Sequence, residues 1–262
     1  MESTKRKDQP TDDELILFIS RYSARLLGAG ATCIRLEKNV QRIARAYGRE
    51  VELTIMPRHI HLSLWEEGRT STVSSIASVR HNVTSFNINT QLSKLSWEIA
   101  DGKTDLATAR TKFTDIINSD KQNPWLVLLL VTFANASFCR LFGGDFTAMG
   151  LVALATLVGY YLKIMLLRWG TDVRVMALIC SFVSSIFAAS DHLFGLGTTP
   201  EVALGTSVLY LVPGIPYINS FSDMLYKHYL CAVSRFMDAL IFTCCLSMGL
   251  CAGLLLMGRG MF

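Results

Sequence analysis

Along the chain, apolar residues recur first at helical spacing, then alternate, then return to helical spacing, and from about residue 124 run together in long stretches. From Asp13 to Tyr47, Leu15, Ile16, Ile19, Tyr22 and Leu26, then Ile34, Val40, Ile43, Ala44 and Tyr47, keep the helical interval on either side of Gly28-Ala29-Gly30-Ala31. That pattern predicts two amphipathic helices joined by a tight turn. The stretches VELTIM, RHIHLSLW and RTSTVSSI alternate with period two around Pro57 and Glu67-Gly68, which predicts a small antiparallel sheet. Residues 83–100 and 104–118 are again helical in spacing, split by Asp101-Gly102-Lys103. Residues 1–123 thus read as an α+β domain of ordinary size.

Five apolar segments follow, at about 124–141, 146–167, 175–196, 200–224 and 232–257. Each is near the roughly 20 residues that cross about 30 Å of hydrocarbon. Asn123-Pro124 and Thr199-Pro200 pair a capping side chain with a proline at the first helical position, marking two helix starts. The expected fold class is a membrane protein: an N-terminal cytoplasmic α+β domain, 1–123, followed by a five-helix transmembrane domain, 124–262. Lys163, Arg168 and Arg174 flank the second connection between spans and Lys227 and Arg235 the fourth, whereas the third, DHLFGLGTTP, carries no Lys or Arg. Basic loops stay in the cytoplasm, so the expectation is an amino terminus inside and a carboxyl terminus in the periplasm.

Composition sharpens the division. The chain is 51% hydrophobic with mean hydropathy +0.35, yet residues 1–123 hold 18 of its 25 Lys+Arg and 15 of its 21 Asp+Glu. A net charge of +4, interspersed and without any recognised module, argues against a nucleic-acid partner. The start MESTKRKDQPTDDE is charged and lacks the apolar core of a secretory signal. Seven cysteines include no C-x-x-C pair, so buried thiols are a better reading than a metal or disulfide framework. No cofactor is expected, and the absence of G-x-x-x-x-G-K-[ST] disfavours ATP-driven transport by this chain.

Candidate chemistry centres on Pro213-Gly214-Ile215-Pro216, which interrupts the fourth apolar segment. A break at hydrocarbon depth frees backbone groups that protein, water or solute must satisfy, and discontinuous helices build the solute sites of many transporters. Asn219 and Asp223, four residues apart just beyond the break, share a helix face and combine amide donors with a titratable acceptor. Headgroup-level solvation of Asp223 is the plain alternative. Arg235 suits a substrate carboxylate, or else pairs with Asp238 three residues on. Asn135 is a lone amide in the first span, explained equally by interhelical bonding or solute contact. The expected substrate path is Pro213, Gly214, Pro216, Asn219, Asp223, Arg235 and Asn135, with no catalytic or metal residues. His59, His61 and Ser63 alternate on one strand face, with His81 further on, which reads as a solvated sheet face rather than a metal site. Gly249 and Gly253 allow close helix approach, within this chain or to another.

The Gly-Ala-Gly-Ala turn followed by Arg35-Leu36-Glu37, the Asn-Pro-Trp entry to the first span, Phe142-Gly143-Gly144-Asp145 and Leu211-Val212-Pro213-Gly214-Ile215-Pro216 together resemble the threonine/serine exporter family. The likeness is to its shorter, split-subunit YjjP-like inner-membrane form. It implies a cytoplasmic domain with five spans, a small YjjB-like membrane subunit supplying further helices, and efflux of threonine and serine or of a succinate-type dicarboxylate. An odd number of spans independently implies a second subunit or a homo-oligomer, because inverted-repeat transporters pair equivalent halves. The expectation is therefore a subunit of a bacterial inner-membrane secondary exporter for small carboxylate metabolites. The alternatives are a membrane-anchored hydrolase, with its chemistry in residues 1–123, and a membrane sensor or scaffold.

Overall fold

Thr11 opens the first helix with a capping box: its hydroxyl accepts from the Glu14 amide, and the Glu14 carboxylate accepts from the Thr11 amide. A computed structural model describes residues 10–66, 68, 72–80, 84–119, 123–195 and 197–257; His81 lies outside the described residues. It divides into two units, Met1–Lys121 with Ile215–Phe236, and Gln122–Gly214 with Met237–Phe262.

In the first unit, α1 (Asp12–Gly28) and α2 (Cys33–Ala46) precede a meander of β1 (Glu50–Ile55), β2 (His59–Trp65) and β3 (Thr72–Ser78), and α3 (Phe86–Ala100) and α4 (Leu106–Ser119) follow. All pairs are antiparallel in the order β1-β2-β3, with Leu53 opposite Leu62 and Leu62 opposite Ser75. Alternation sends Ile60, Leu62 and Leu64 of β2 into the core while His59 and His61 are exposed. The core joins those residues to Leu15, Ile19, Tyr22 and Leu26 of α1, Leu36, Val40 and Ile43 of α2, and Leu92, Leu95 and Ile99 of α3. Tyr22 is satisfied inside it: its hydroxyl donates to Leu92 O at 2.9 Å and accepts from Asn39 Nδ2 at 3.1 Å. Burial pushes this phenol well above its usual range.

The second unit begins with α5 (Pro124–Leu141), α6 (Phe146–Arg168), α7 (Val173–Phe194) and α8 (Pro200–Ser207). Asn123 and Asp145 cap α5 and α6, accepting from Trp125 N at 3.0 Å and Ala148 N at 2.7 Å. Its helices meet through small residues: Ala148, Ala155 and Gly159 of α6 are buried, as are Ala177, Cys180, Ser181, Ser184 and Ser185 of α7. A Cβ on Gly159 would collide with the Tyr210 and Ser184 hydroxyls, and Cβ atoms on Gly249 and Gly253 with those of Ser181 and Ser185. The Gly249/Gly253 pair therefore packs on α7 of its own chain.

The stretch expected as one span over 200–224 is two helices. After α8, a 3-10 turn at Leu209–Leu211 leads to Val212 and Pro213, and α9 (Gly214–Leu225) starts afresh. Pro213 and Pro216 lack the N–H groups that would carry one helix through. A turn with Lys227 at φ 66° then leads to α10 (Tyr229–Met257). Among the described residues four helices are long and apolar enough to cross a membrane, five if the bent pair Pro200–Leu211 and Gly214–Leu225 counts as one.

Candidate functional site

The polar residues that follow the break converge on the Gly28–Cys33 turn of the first unit. Gly30 sits at φ 85°, a conformation open to glycine, and a Cβ on Gly28 would lie 2.5 Å from Arg80 O. A turn of this kind leaves several carbonyls and the first amides of α2 without helical partners. Several of them find one nearby. Ala29 O accepts from Ser85 N and Asn89 Nδ2, Gly30 O from Asn219 Nδ2 at 2.8 Å, and Ala31 O from Arg235 Nη2 at 2.8 Å. The Cys33 amide donates to Asp223 Oδ1 at 2.8 Å, so a carboxylate sits at the positive end of α2, where the helix dipole favours it.

Asp223 is fully buried, and its Oδ2 lies 2.9 Å from Arg235 Nη1. The pairing of Arg235 with Asp238 does not form; Asp238 faces Arg174 at 3.8 Å. Nor is Asp223 at an exposed helix end. Ser220 Oγ donates to Ala232 O at 2.7 Å, and Tyr217 and Phe221 set their rings edge-on to Phe236, which hold α9 against the start of α10. Cys33 and Cys231 meet beside this cluster: their mutual hydrogen bond, then burial, holds the Cys33 thiol far above the usual thiol range.

In the second unit, Asn135 is buried in α5 and donates to Thr156 Oγ1 of α6 at 2.6 Å and to Thr206 O of α8 at 3.1 Å. Thr206 lies in the last turn of α8, and its carbonyl also accepts from the backbone amide of Val208, which caps that helix. A side-chain amide from another helix thus adds a donor at the end of α8, ahead of the Val212–Gly214 break, where backbone polar groups have to be met within the protein. Close by, Ser184 and Tyr210 hydroxyls bond at 3.0 Å. Gly214 N donates to Val212 O at 2.9 Å, and a Cβ on Gly214 would meet nothing within 4 Å. Lys163 places Nζ 5.0 Å over the Tyr160 ring.

The structure brings Asn219, Asp223 and Arg235 together in one unit and sets Asn135 in the other; Pro213 and Gly214 end the segment of the second unit, and Pro216 lies in the first turn of α9. Sequence reasoning missed Gly30, Ala31 and Cys33 as partners, and Thr156 and Thr206 as the groups that answer Asn135. The signal available was the glycine turn, whose backbone had to find acceptors and donors somewhere. Phe142-Gly143-Gly144-Asp145 is also more than a turn: Asp145 accepts from Ala148 N, Thr147 Oγ1 and Thr198 N. Those bonds hold its carboxyl well below the usual carboxylate range. Among the described residues no group of three His, Cys, Asp or Glu side chains is placed to hold a metal.

Several apolar helices among the described residues, with one bent, discontinuous pair, define a multi-pass membrane protein. A family model described as "Putative threonine/serine exporter" matches residues 17–257, and the chain belongs to that family. It is 26% identical over 235 residues to a Klebsiella aerogenes protein named "Probable succinate transporter subunit YjjP", covering 89% of this chain and 90% of that one. It is 25% identical over 240 residues to the Escherichia coli K12 protein of the same name, covering 89% and 91%. It is also 23% identical over 244 residues to a Mycobacterium tuberculosis protein named "Probable threonine/serine exporter", covering 92% of this chain but 45% of that protein. No solved structure matches.

Proposed function

We propose that the chain is one subunit of a secondary exporter in a bacterial inner membrane, moving a small carboxylate-bearing solute outward with a small YjjB-like membrane subunit. The solute is a succinate-type dicarboxylate, as the names of two relatives suggest, or threonine and serine, as the third and the family suggest. The observation that carries the reading is the broken crossing at Val212–Gly214, with the buried Asn135 amide bonded to the end of the helix that precedes it. Irregular backbone at membrane depth persists where it is buried in protein or lines a path.

The solute path runs past Asn135, Pro213 and Gly214. Asn219, Asp223 and Arg235 form a latch on the Gly28–Cys33 turn, with Pro216 in the first turn of α9, and the latch groups exchange protein partners for solute as α9 moves. The word "subunit" in the names of the K. aerogenes and E. coli relatives supports a partner. A cytoplasmic amino terminus is supported by Arg168 and Arg174 at the α6–α7 turn. It is supported also by the α9–α10 turn with Lys227, which belongs to the same unit as the amino-terminal domain.

Inside-out vesicles carrying the chain and its partner should take up labelled succinate or threonine, and Asn135→Leu should lower the rate at least about tenfold, a loss of roughly 1.4 kcal/mol. Uptake unaffected by Asn135→Leu, or ester turnover by the chain without any uptake, would displace the transport reading.

A further inference from the structure

Arg35, Lys38 and Arg42 fall three and four residues apart on α2 and share one face of that helix. The face forms a wall of a cavity of about 530 Å³, which Ser93 of α3, Ser222 of α9 and Tyr226 of the turn after it also line. All of these residues belong to the first unit, and the volume is typical of small-molecule sites.

A solvated run of basic residues is the commonest fate of such a pattern, but three features set this cavity apart. Among the described residues no acidic side chain lines it. The carboxylate nearest in sequence, Glu37, faces His228 at 3.5 Å and Gln41 at 3.4 Å instead. Among the described residues Arg35 and Lys38 enter no ion pair. Arg42, by contrast, is fixed in place: Nη1 donates to Asn39 Oδ1 at 2.9 Å and Ser96 Oγ at 2.7 Å, and the guanidinium carbon lies 3.7 Å from the centre of the Trp97 ring. Its other N–H groups have no protein acceptor among the described residues. Burial lowers the pKa of Arg42, so an anion beside it relieves an unfavourable charge.

A held guanidinium, two unpaired cations and the Ser222 hydroxyl of α9 make an oxyanion-recognition set. We propose that this cavity binds a small doubly charged oxyanion, a free dicarboxylate or phosphate, through Arg35, Lys38 and Arg42 with Ser222 as hydroxyl partner. Because Ser222 belongs to α9 and Tyr226 directly follows that helix, an occupied cavity holds α9 to α2 and α3. The bound anion thereby reports its own concentration to the helix that follows the break. The site rests on its own geometry and stands whether or not the chain exports the same class of solute.

The test is calorimetric titration of the full chain, purified in detergent, with disodium succinate and separately with inorganic phosphate at fixed ionic strength. At least one should bind saturably, and the anion that does so identifies the ligand class. The Arg35→Gln/Lys38→Gln double variant should bind it at least about tenfold more weakly. Both side chains are exposed, so the variant's thermal unfolding should match the parent's. Lys94→Gln, an exposed lysine of α3 outside the lining, should leave binding unchanged. Saturable binding of neither anion overturns the proposal. So does a double variant that binds like the parent, or an equal loss in Lys94→Gln.

Discussion

Replacing Asp223 with alanine removes two things at once: the acceptor of the Cys33 amide at 2.8 Å and the partner of Arg235 at 2.9 Å. The Asp223 side chain is 0% exposed and that of Arg235 16%, so solvent compensates little. Arg235 is left with Ala31 O as its remaining protein acceptor among the described residues. Breaking a buried pair from one side costs about 3–5 kcal/mol, and this figure overlaps the roughly 1–3 kcal/mol of an orphaned buried amide. Since each ~1.4 kcal/mol is a factor of ten, the open form of the latch should rise by about two to three orders of magnitude. Cys33 is fully buried under this cluster and reports the opening. Alkylation of the full chain in detergent, followed on the Cys33 peptide by mass spectrometry, should run at least about 100-fold faster in Asp223→Ala. Asp223→Asn, which keeps the amide acceptor, should fall between. Asp223→Ala/Arg235→Leu should be slower than Asp223→Ala alone, because no uncompensated charge remains. A Cys33 rate in Asp223→Ala within about threefold of the parent, where ~3–5 kcal/mol was expected, would refute the latch.

Gly30→Ala places a methyl group 2.8 Å from Thr84 Cγ2 and Oγ1 at a residue with φ +85°; a cost of about 1–3 kcal/mol should appear as faster Cys33 alkylation. Gly253→Val should lower the detergent melting temperature, because even its Cβ would collide with Ser185 Oγ, and adding Ser185→Ala should restore part of the loss. Asp145 has a folded pKa below its ordinary 3.8. Its contribution is therefore complete above that value and is lost as pH falls through the folded one. Proteolysis near Thr198 should accelerate on acidification below about pH 4 in the parent, whereas Asp145→Asn should show no such acid step.

The helices of the first unit and its meander were legible because each has one buried face, and burial of Leu15, Ile19, Tyr22 and Leu26 or of Ile60, Leu62 and Leu64 writes its period into the sequence. The breaks were legible for the same local reason: Pro213 and Pro216 announce that a helix cannot continue. What α9 packs against was not. Asn219, Asp223 and Arg235 bond to backbone atoms 189, 190 and 204 residues away, and a carbonyl leaves no mark of its partner in side-chain pattern. Helical spacing made Asp238 the natural partner of Arg235; tertiary packing gave it Asp223 instead. Asn135 stood out as polar among apolar neighbours, but Thr156 and Thr206 did not, since lone hydroxyls commonly satisfy themselves within their own helix.

The measurement closest to the central claim is accessibility at the break. In a chain freed of its native cysteines, Gly214→Cys should react with a charged, membrane-impermeant thiol reagent, since a side chain there meets open space. Succinate or threonine should protect it, while Leu129→Cys, on an exposed apolar face of α5, should stay unreactive. A Gly214→Cys variant as inert as Leu129→Cys, or one that reacts equally with and without either solute, would contradict a solute path through the broken crossing.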